Sequence, residues 1–182
     1  FSGTYELHNL SFLLGSLWET QNGFLHPQDL ASQWPARILA PHHEERVLDM
    51  AAAPGNKTIQ LCEMMQNKGT LIALEPNKAR AKSLRFVLGK SGVLNAAVGI
   101  QDALTFSSKE GFDKILLDAP CSGEGLLRKK PQTLRIWSES FVQQKAQLQV
   151  KLLLHAFSLL KEGGELVYSV CTLSPEECEG VV

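Results

Sequence analysis

Val47-Leu48-Asp49-Met50-Ala51-Ala52-Ala53-Pro54-Gly55-Asn56-Lys57-Thr58 is the stretch from which the rest of the chain is read. Three apolar residues and an acid predict a strand. It ends in a turn of small residues that opens a helix. Small side chains let backbone N–H groups approach a ligand closely, and Pro54 with Gly55 sets a sharp bend. Residues 51–57 thus form a candidate nucleotide cradle. It is not the dinucleotide fingerprint, since GxGxxG needs three glycines and this turn has one. Nor is it a P-loop, because Met50 stands where GxxxxGK[ST] requires glycine. A pyrophosphate is therefore not the expected ligand. An ordinary βα turn packed for structural reasons has the same local pattern, so the flanking sequence decides.

Downstream, Lys57 to Met65 predicts a crossover helix and Thr70 to Glu75 a second strand, whose terminal acid lies 26 residues after Asp49. An acid at the end of a second parallel strand is placed to take both hydroxyls of a ribose. Lys78, Arg80, Lys82, Arg85 and Lys90, on and just after a helix over 77–89, read as a solvated outer face. Asn95 to Ile100 predicts a third strand. The following Asp102 either accepts a hydrogen bond from an adenine amine or caps the next turn. Asp113 to Asp118 is a fourth strand with a continuous apolar centre, as burial on both faces requires. Strands alternating with helices predict an open parallel sheet with its ligand at the carboxyl ends. The cradle, Glu75, Asp102 and Asp118 all fall there.

Two thiols reach the same edge. Cys121 follows the fourth strand in Ala119-Pro120-Cys121-Ser122-Gly123-Glu124-Gly125, and the nearby Arg128-Lys129-Lys130 is a compact phosphate-binding candidate. Ser138 to Leu160 predicts an amphipathic helix with Val142, Ala146, Val150, Leu153, Leu154 and Phe157 turned inward and His155 as a satisfied core histidine. Lys161 to Gly164 ends it. Glu165 to Val170 is then a fifth strand that delivers Cys171. Cys62 and Cys178 are read on helices without a chemical role.

Upstream, the apolar spacing at Leu7, Leu10, Leu13, Leu14, Leu17 and Trp18 predicts a helix over 5–18, and Gln28 to Ala40 a second one interrupted by Pro35. Residues 1–40 are expected to pack as a helical segment on a core spanning 41–182. His42 and His43 have no third ligand nearby and read as a solvated loop, so no metal is expected.

With 182 residues, 44% apolar and 20% charged, the chain is expected to form one globular domain. Without a membrane-length apolar run or a leader pattern, a cytoplasmic protein with no membrane contact is expected. The four cysteines form no CxxC pair, which argues against a zinc knuckle or a disulfide framework and leaves the thiols available as nucleophiles. A net charge of −1 means that any nucleic-acid affinity must come from a local patch. Both ends read as cut, the second inside a helix started by Ser174-Pro175-Glu176-Glu177.

Two thiols at one cleft could pair as a disulfide, but around an adenosine-type site another use follows from chemistry. Cytosine C5 cannot attack a methyl sulfonium unaided. A thiolate adding to C6 makes C5 enamine-like; after methylation a base removes the C5 proton and the thiol leaves. A carboxyl such as Asp118 suits the acid or hydrogen-bonding role at N3 or N4, and the base must be presented out of its stack. These residues do not by themselves separate the role of Cys121 from that of Cys171.

Leu48 to Thr58, Asp118 to Gly125, and Tyr168-Ser169-Val170-Cys171-Thr172 followed by Pro175-Glu176-Glu177 resemble the Nop/Sun family of RNA (cytosine-5)-methyltransferases. The resemblance runs from about Gly23 to Val182 and is greatest to the bacterial RsmF type or its archaeal tRNA relatives. It implies a Rossmann-like class I S-adenosylmethionine-dependent methyltransferase fold, a mostly parallel sheet with helices on both faces, the last strands lying beyond this sequence. It also implies S-adenosylmethionine on Ala51, Ala52, Ala53, Pro54, Gly55, Asn56 and Lys57, with Glu75 on the ribose, Asp102 at the adenine and Asp118 between cofactor and base. Cys171 is then the nucleophile, Cys121 aids product release, and Lys57 also reaches toward the base. Asn56, Val170 and Cys178 depart from the residues usual in the family.

The reading is thus a monomeric RNA methyltransferase forming 5-methylcytosine in ribosomal or transfer RNA. The alternative is a non-catalytic S-adenosylmethionine- or RNA-binding module, such as an assembly factor. A dinucleotide-dependent oxidoreductase would share the architecture but needs the glycine fingerprint.

Overall fold

The computed structural model describes residues 13–129 and 131–182. Five parallel strands, β1 (Arg46–Asp49), β2 (Thr70–Leu74), β3 (Ala96–Gly99), β4 (Phe112–Asp118) and β5 (Leu160–Ser169), stand in the order β3-β2-β1-β4-β5. The chain runs outward from β1 to β3, then crosses back to place β4 on the other side of β1. The order therefore reverses between β1 and β4, where an open α/β sheet leaves a crevice at its carboxyl end. The turns after β1 and β4 flank that crevice.

Alternation along each strand divides the core in two. Val47, Leu71, Ala73 and Leu116 face α2 (Leu30–Leu39), α3 (Asn56–Met64) and α4 (Lys78–Lys90), meeting Leu39, Leu61 and Leu84. Leu48, Leu74, Ile115 and Leu117 face α5 (Glu139–Leu159), meeting Leu152, Ala156 and Leu159. Most of these side chains are fully buried, and each large one contributes about 1.5–3 kcal/mol. The helix starts are set locally. Asn77 Oδ1 accepts the N–H groups of Ala79 and Arg80, and Ser138 Oγ accepts that of Phe141.

Several local expectations are corrected. Pro35 does not interrupt α2, which runs through it. The ring removes one N–H, but burial of Ala36 and Leu39 beyond it holds the helix to its end. Of the helix expected over 5–18, Leu7 and Leu10 lie outside the described residues; Leu14–Ser16 is a 3₁₀ turn, and α1 is only Trp18–Gln21 because Leu17 is extended. On α5 the buried residues are Val142, Ala146, Gln149, Leu152, Leu153, Ala156 and Leu159, Val150 is partly buried against them, and Leu154 and Phe157 are exposed. Residues 161–164 belong to β5, whose register against β4 shifts between Phe112 and Lys114, and Gly163 there has a φ of 76°. Pro175–Glu177 is a single 3₁₀ turn, and Cys178 follows it rather than lying on a helix. His155 is half-buried and bonded through Nε2 to Phe106 O.

Candidate active site

The cradle is built from the end of β1. Asp49 is buried there; its Oδ2 accepts Thr58 Oγ1 at 2.7 Å and its Oδ1 the Ala51 N–H at 3.4 Å, which ties strand and helix across the turn. Burial pushes the carboxyl up to about 6, against the pull of the Thr58 bond. Ala52 N–H bonds Leu74 O at 3.0 Å, anchoring the turn to β2. Gly55 has a φ of 117°, and a Cβ there would lie 2.9 Å from Leu84 Cδ1, so both backbone and packing require glycine. No side chain caps α3. Its first N–H groups, at Asn56, Lys57 and Thr58, are those an anionic ligand group would use.

At the end of β2, Glu75 is only 2% exposed. Oε1 accepts Asn77 N–H at 2.9 Å, and Oε2 pairs with Arg80 Nη1 at 3.2 Å. Arg80 Nη2 also donates to Ala53 O at 2.8 Å. Arg80 is therefore not simply part of a solvated face: it clamps Glu75 to the cradle. Asp102 is exposed and caps a 3₁₀ turn through Leu104 N–H at 2.9 Å.

Where β1 and β4 part, Lys57 Nζ lies 2.7 Å from Asp118 Oδ2, and Ser169 Oγ donates to Asp118 Oδ1 at 2.7 Å. Nothing local in the sequence marks Ser169 for this role. It is the residue of β5 in register with Asp118.

The thiols meet beside this group. Cys121 Sγ and Cys171 Sγ are 3.1 Å apart, and Cys171 N–H donates to Cys121 Sγ at 3.3 Å. The Cys121 S–H bond favours the Cys171 thiolate and lowers that thiol to about 7, against the opposing effect of burial. The same bond, then burial, pushes Cys121 up. The contact thus leaves one thiol easily ionised and the other holding its proton. Gly125 N–H bonds Cys171 O at 3.1 Å, and a Cβ at Gly125 would lie 3.1 Å from that oxygen.

The basic cluster stands apart from these contacts. Arg128 is exposed, Lys129 forms an ion pair with Asp29, and Lys130 lies outside the described residues. Nearby, Glu124 accepts Trp137 Nε1 at 2.6 Å and Ser174 Oγ at 2.8 Å, linking the loops that carry the two cysteines. Among the described residues, no group of three His, Cys, Asp or Glu side chains could hold a metal ion, and no helix is long and apolar enough to cross a membrane.

Residues 36–182 match the sequence model of the family described as 16S rRNA methyltransferase RsmB/F. The chain is 44% identical over 169 residues to a tRNA (cytosine(49)-C(5))-methyltransferase of Pyrococcus abyssi, covering 92% of this chain and 54% of that protein. It is 42% identical over 172 residues to ribosomal RNA small subunit methyltransferase F of Vibrio cholerae, covering 92% of this chain and 36% of that protein. The crystal structure of NSun6 from Pyrococcus horikoshii with SFG superposes with a TM-score of 0.86 at 36% identity, covering 92% of this chain and 43% of that one. The chain thus spans about half, or less, of the length of each of these relatives.

Proposed function

Because the chain belongs to the RsmB/F methyltransferase family, we propose that it is the catalytic part of an S-adenosylmethionine-dependent RNA (cytosine-5)-methyltransferase acting on ribosomal or transfer RNA. One observation carries the reading: two thiols in contact, 3.1 Å apart, beside the Lys57–Asp118 pair at the point where the strand order reverses. A binding module has no need of a matched pair of sulfur atoms there. Residues 41–182 form the core in this reading, with the described part of the 1–40 segment packed on it, and free thiols with an RNA substrate suit the cytoplasm.

The residues present fit the cofactor. Each Glu75 oxygen accepts one bond, which leaves acceptor capacity for the two hydroxyls of a ribose. The uncapped N-terminus of α3 suits the carboxylate of an amino acid, and the cradle of Ala51, Ala52, Ala53, Pro54, Gly55, Asn56 and Lys57 admits close backbone approach. Asp102 is the group assigned to the adenine amine. When bound, S-adenosylmethionine supplies an electrophilic sulfonium methyl group.

The rest is done by the chain. Cys171, lowered to about 7, supplies a thiolate that adds to C6 of the cytosine. Asp118 retains acceptor capacity for the N4 amine, and Lys57, with two further N–H donors, stabilises the negative charge that builds toward N3 and O2. After methylation a water molecule in the cleft, acting as base, takes the C5 proton, the electron pair re-forms the C5–C6 double bond, and the C6–S bond breaks to release Cys171 as thiolate. Cys121, in contact with that sulfur, assists this release. Arg128, Lys129 and Lys130 are the residues assigned to RNA phosphates.

Transfer of labelled methyl to transfer RNA and to 16S rRNA transcripts, compared for wild type, Cys171→Ala and Cys121→Ala, tests the reading. Loss of transfer in Cys171→Ala and a trapped protein–RNA adduct in Cys121→Ala are expected. Transfer that survives in Cys171→Ala would overturn it.

A further inference from the structure

Glu177 is fully buried 3₁₀-turn carboxylate that the chemistry above does not use. Its Oε1 and Oε2 accept the Ser122 N–H at 3.2 and 3.0 Å, Oε2 accepts Gln149 Nε2 at 2.7 Å, and Oε1 lies 3.4 Å from Thr172 Oγ1. Ser122 and Thr172 are the residues immediately after Cys121 and Cys171, and their hydroxyls are bonded to each other at 2.8 Å. Gln149 Nε2 donates in addition to Pro120 O at 3.0 Å, and Tyr168 OH donates to Glu177 O at 2.7 Å. One carboxylate therefore holds the backbone of the Cys121 turn directly and reaches the Cys171 turn through a hydroxyl, all from the side of α5 away from solvent.

We propose that Glu177 is a positioning residue that sets the separation of the two thiols by joining the residues that follow them. A buried carboxylate would be an expensive way to stabilise two loops if stability were its only task, because its desolvation has to be offset by every bond it accepts. What it adds is geometry. Ser122 and Thr172 cannot drift apart while both are bonded to one rigid three-atom group, so Cys121 and Cys171 stay in contact although 50 residues separate them. The catalytic meaning of this contact rests on the function proposed above; the contact itself does not.

The test reads the thiols first and activity second. Alkylation of Cys171 by iodoacetamide is followed against pH and assigned by peptide mass mapping in the wild type, Glu177→Gln and Thr172→Val, with thermal unfolding as the check on folding. In the wild type the midpoint is expected near 7, because Cys121 donates to Cys171 and outweighs burial and the neighbouring Asp118, with Lys57 adding a smaller lowering. In Glu177→Gln either orientation of the amide sets an NH2 against a donor that the carboxylate accepts, the Ser122 N–H at Oε1 (3.2 Å) or Gln149 Nε2 at Oε2 (2.7 Å), and relief of that repulsion loosens the Cys121 turn. The midpoint is then expected to move up toward the ordinary 9, and less far in Thr172→Val. A carboxylate acting only through its charge would give the opposite sign, since its removal favours the thiolate. A downward or absent shift in the folded variants, or a wild-type midpoint already near 9, would overturn the proposal. Should Glu177→Gln fail to fold, the shift in Thr172→Val decides.

Methyl transfer gives the second arm. Glu177→Gln is expected to accumulate the protein–RNA adduct as Cys121→Ala does, with the turnover rate reduced about tenfold or more. A fall in transfer that merely follows the folded fraction, without adduct, would overturn the positioning role. If Cys171→Ala itself retains transfer, the function fails while the alkylation profile still judges Glu177.

Discussion

Arg80, in the first turn of α4, pairs with Glu75 at the end of β2 at 3.2 Å and at the same time donates to Ala53 O in the cradle at 2.8 Å. The guanidinium joins the acid assigned to the ribose to the turn assigned to the rest of the cofactor. Arg80→Ala should therefore weaken S-adenosylmethionine binding about tenfold, the scale of one charge-assisted bond discounted because the Arg80 side chain is 60% exposed. Calorimetric titration checks this, and Arg80→Lys, which cannot span both partners, should recover only part of the loss.

Asp49 makes the stability of the fold depend on pH. Its folded value near 6 lies above the ordinary 3.8, so the fold favours the protonated acid. The resulting stabilisation is fully present below 3.8 and is lost as pH rises through 6, a difference of about 3 kcal/mol at most. Asp49→Asn does not ionise. Its urea midpoint should exceed that of the wild type at about pH 7.5, and the advantage should vanish near pH 4.

Gly125→Ala tests the wall behind Cys171. The added methyl would meet Cys171 O at 3.1 Å and its carbonyl carbon at 3.4 Å, both backbone atoms. Cys171 should be displaced by a few tenths of an ångström, with methyl transfer reduced about tenfold or more and cofactor affinity unchanged. A cofactor affinity that falls together with the rate would place the damage elsewhere.

Lys129 is already occupied by Asp29, one hundred residues away. Asp29→Asn should release it toward RNA, raising affinity and steepening the plot of log affinity against log salt by about 0.7 to 0.9. Replacing Arg128, Lys129 and Lys130 should flatten that plot. Filter binding across a salt series measures both.

The strands and their ends could be read from the sequence because the signals are local: small residues after an apolar run mark the cradle, and continuous apolar centres mark buried parallel strands. The same holds for Cys121 and Cys171, each at a strand end. What could not be read depends on registration between distant segments. Ser169 is an ordinary strand serine until β5 is set against β4, where it falls opposite Asp118. Arg80 looks like any helix base until α4 packs beside the cradle. Glu177 stands in the Ser174-Pro175-Glu176-Glu177 stretch, but its partners Ser122 and Gln149 lie 55 and 28 residues away and meet only in the folded core. The inward face of α5 is hidden for a related reason: Gln149 is polar, so the stripe it belongs to is interrupted in the sequence although the residue is buried in the fold.

The sulfur contact is fastened by a handful of polar bonds among Pro120, Ser122, Gln149, Thr172 and Glu177, whereas the sheet beneath it rests on two full apolar layers. These two kinds of support fail under different insults. Mild denaturant or moderate heat should separate the thiols while circular dichroism still reports an intact fold, so the reactivity of Cys171 toward an alkylating agent is a more sensitive gauge of this protein's condition than its spectrum.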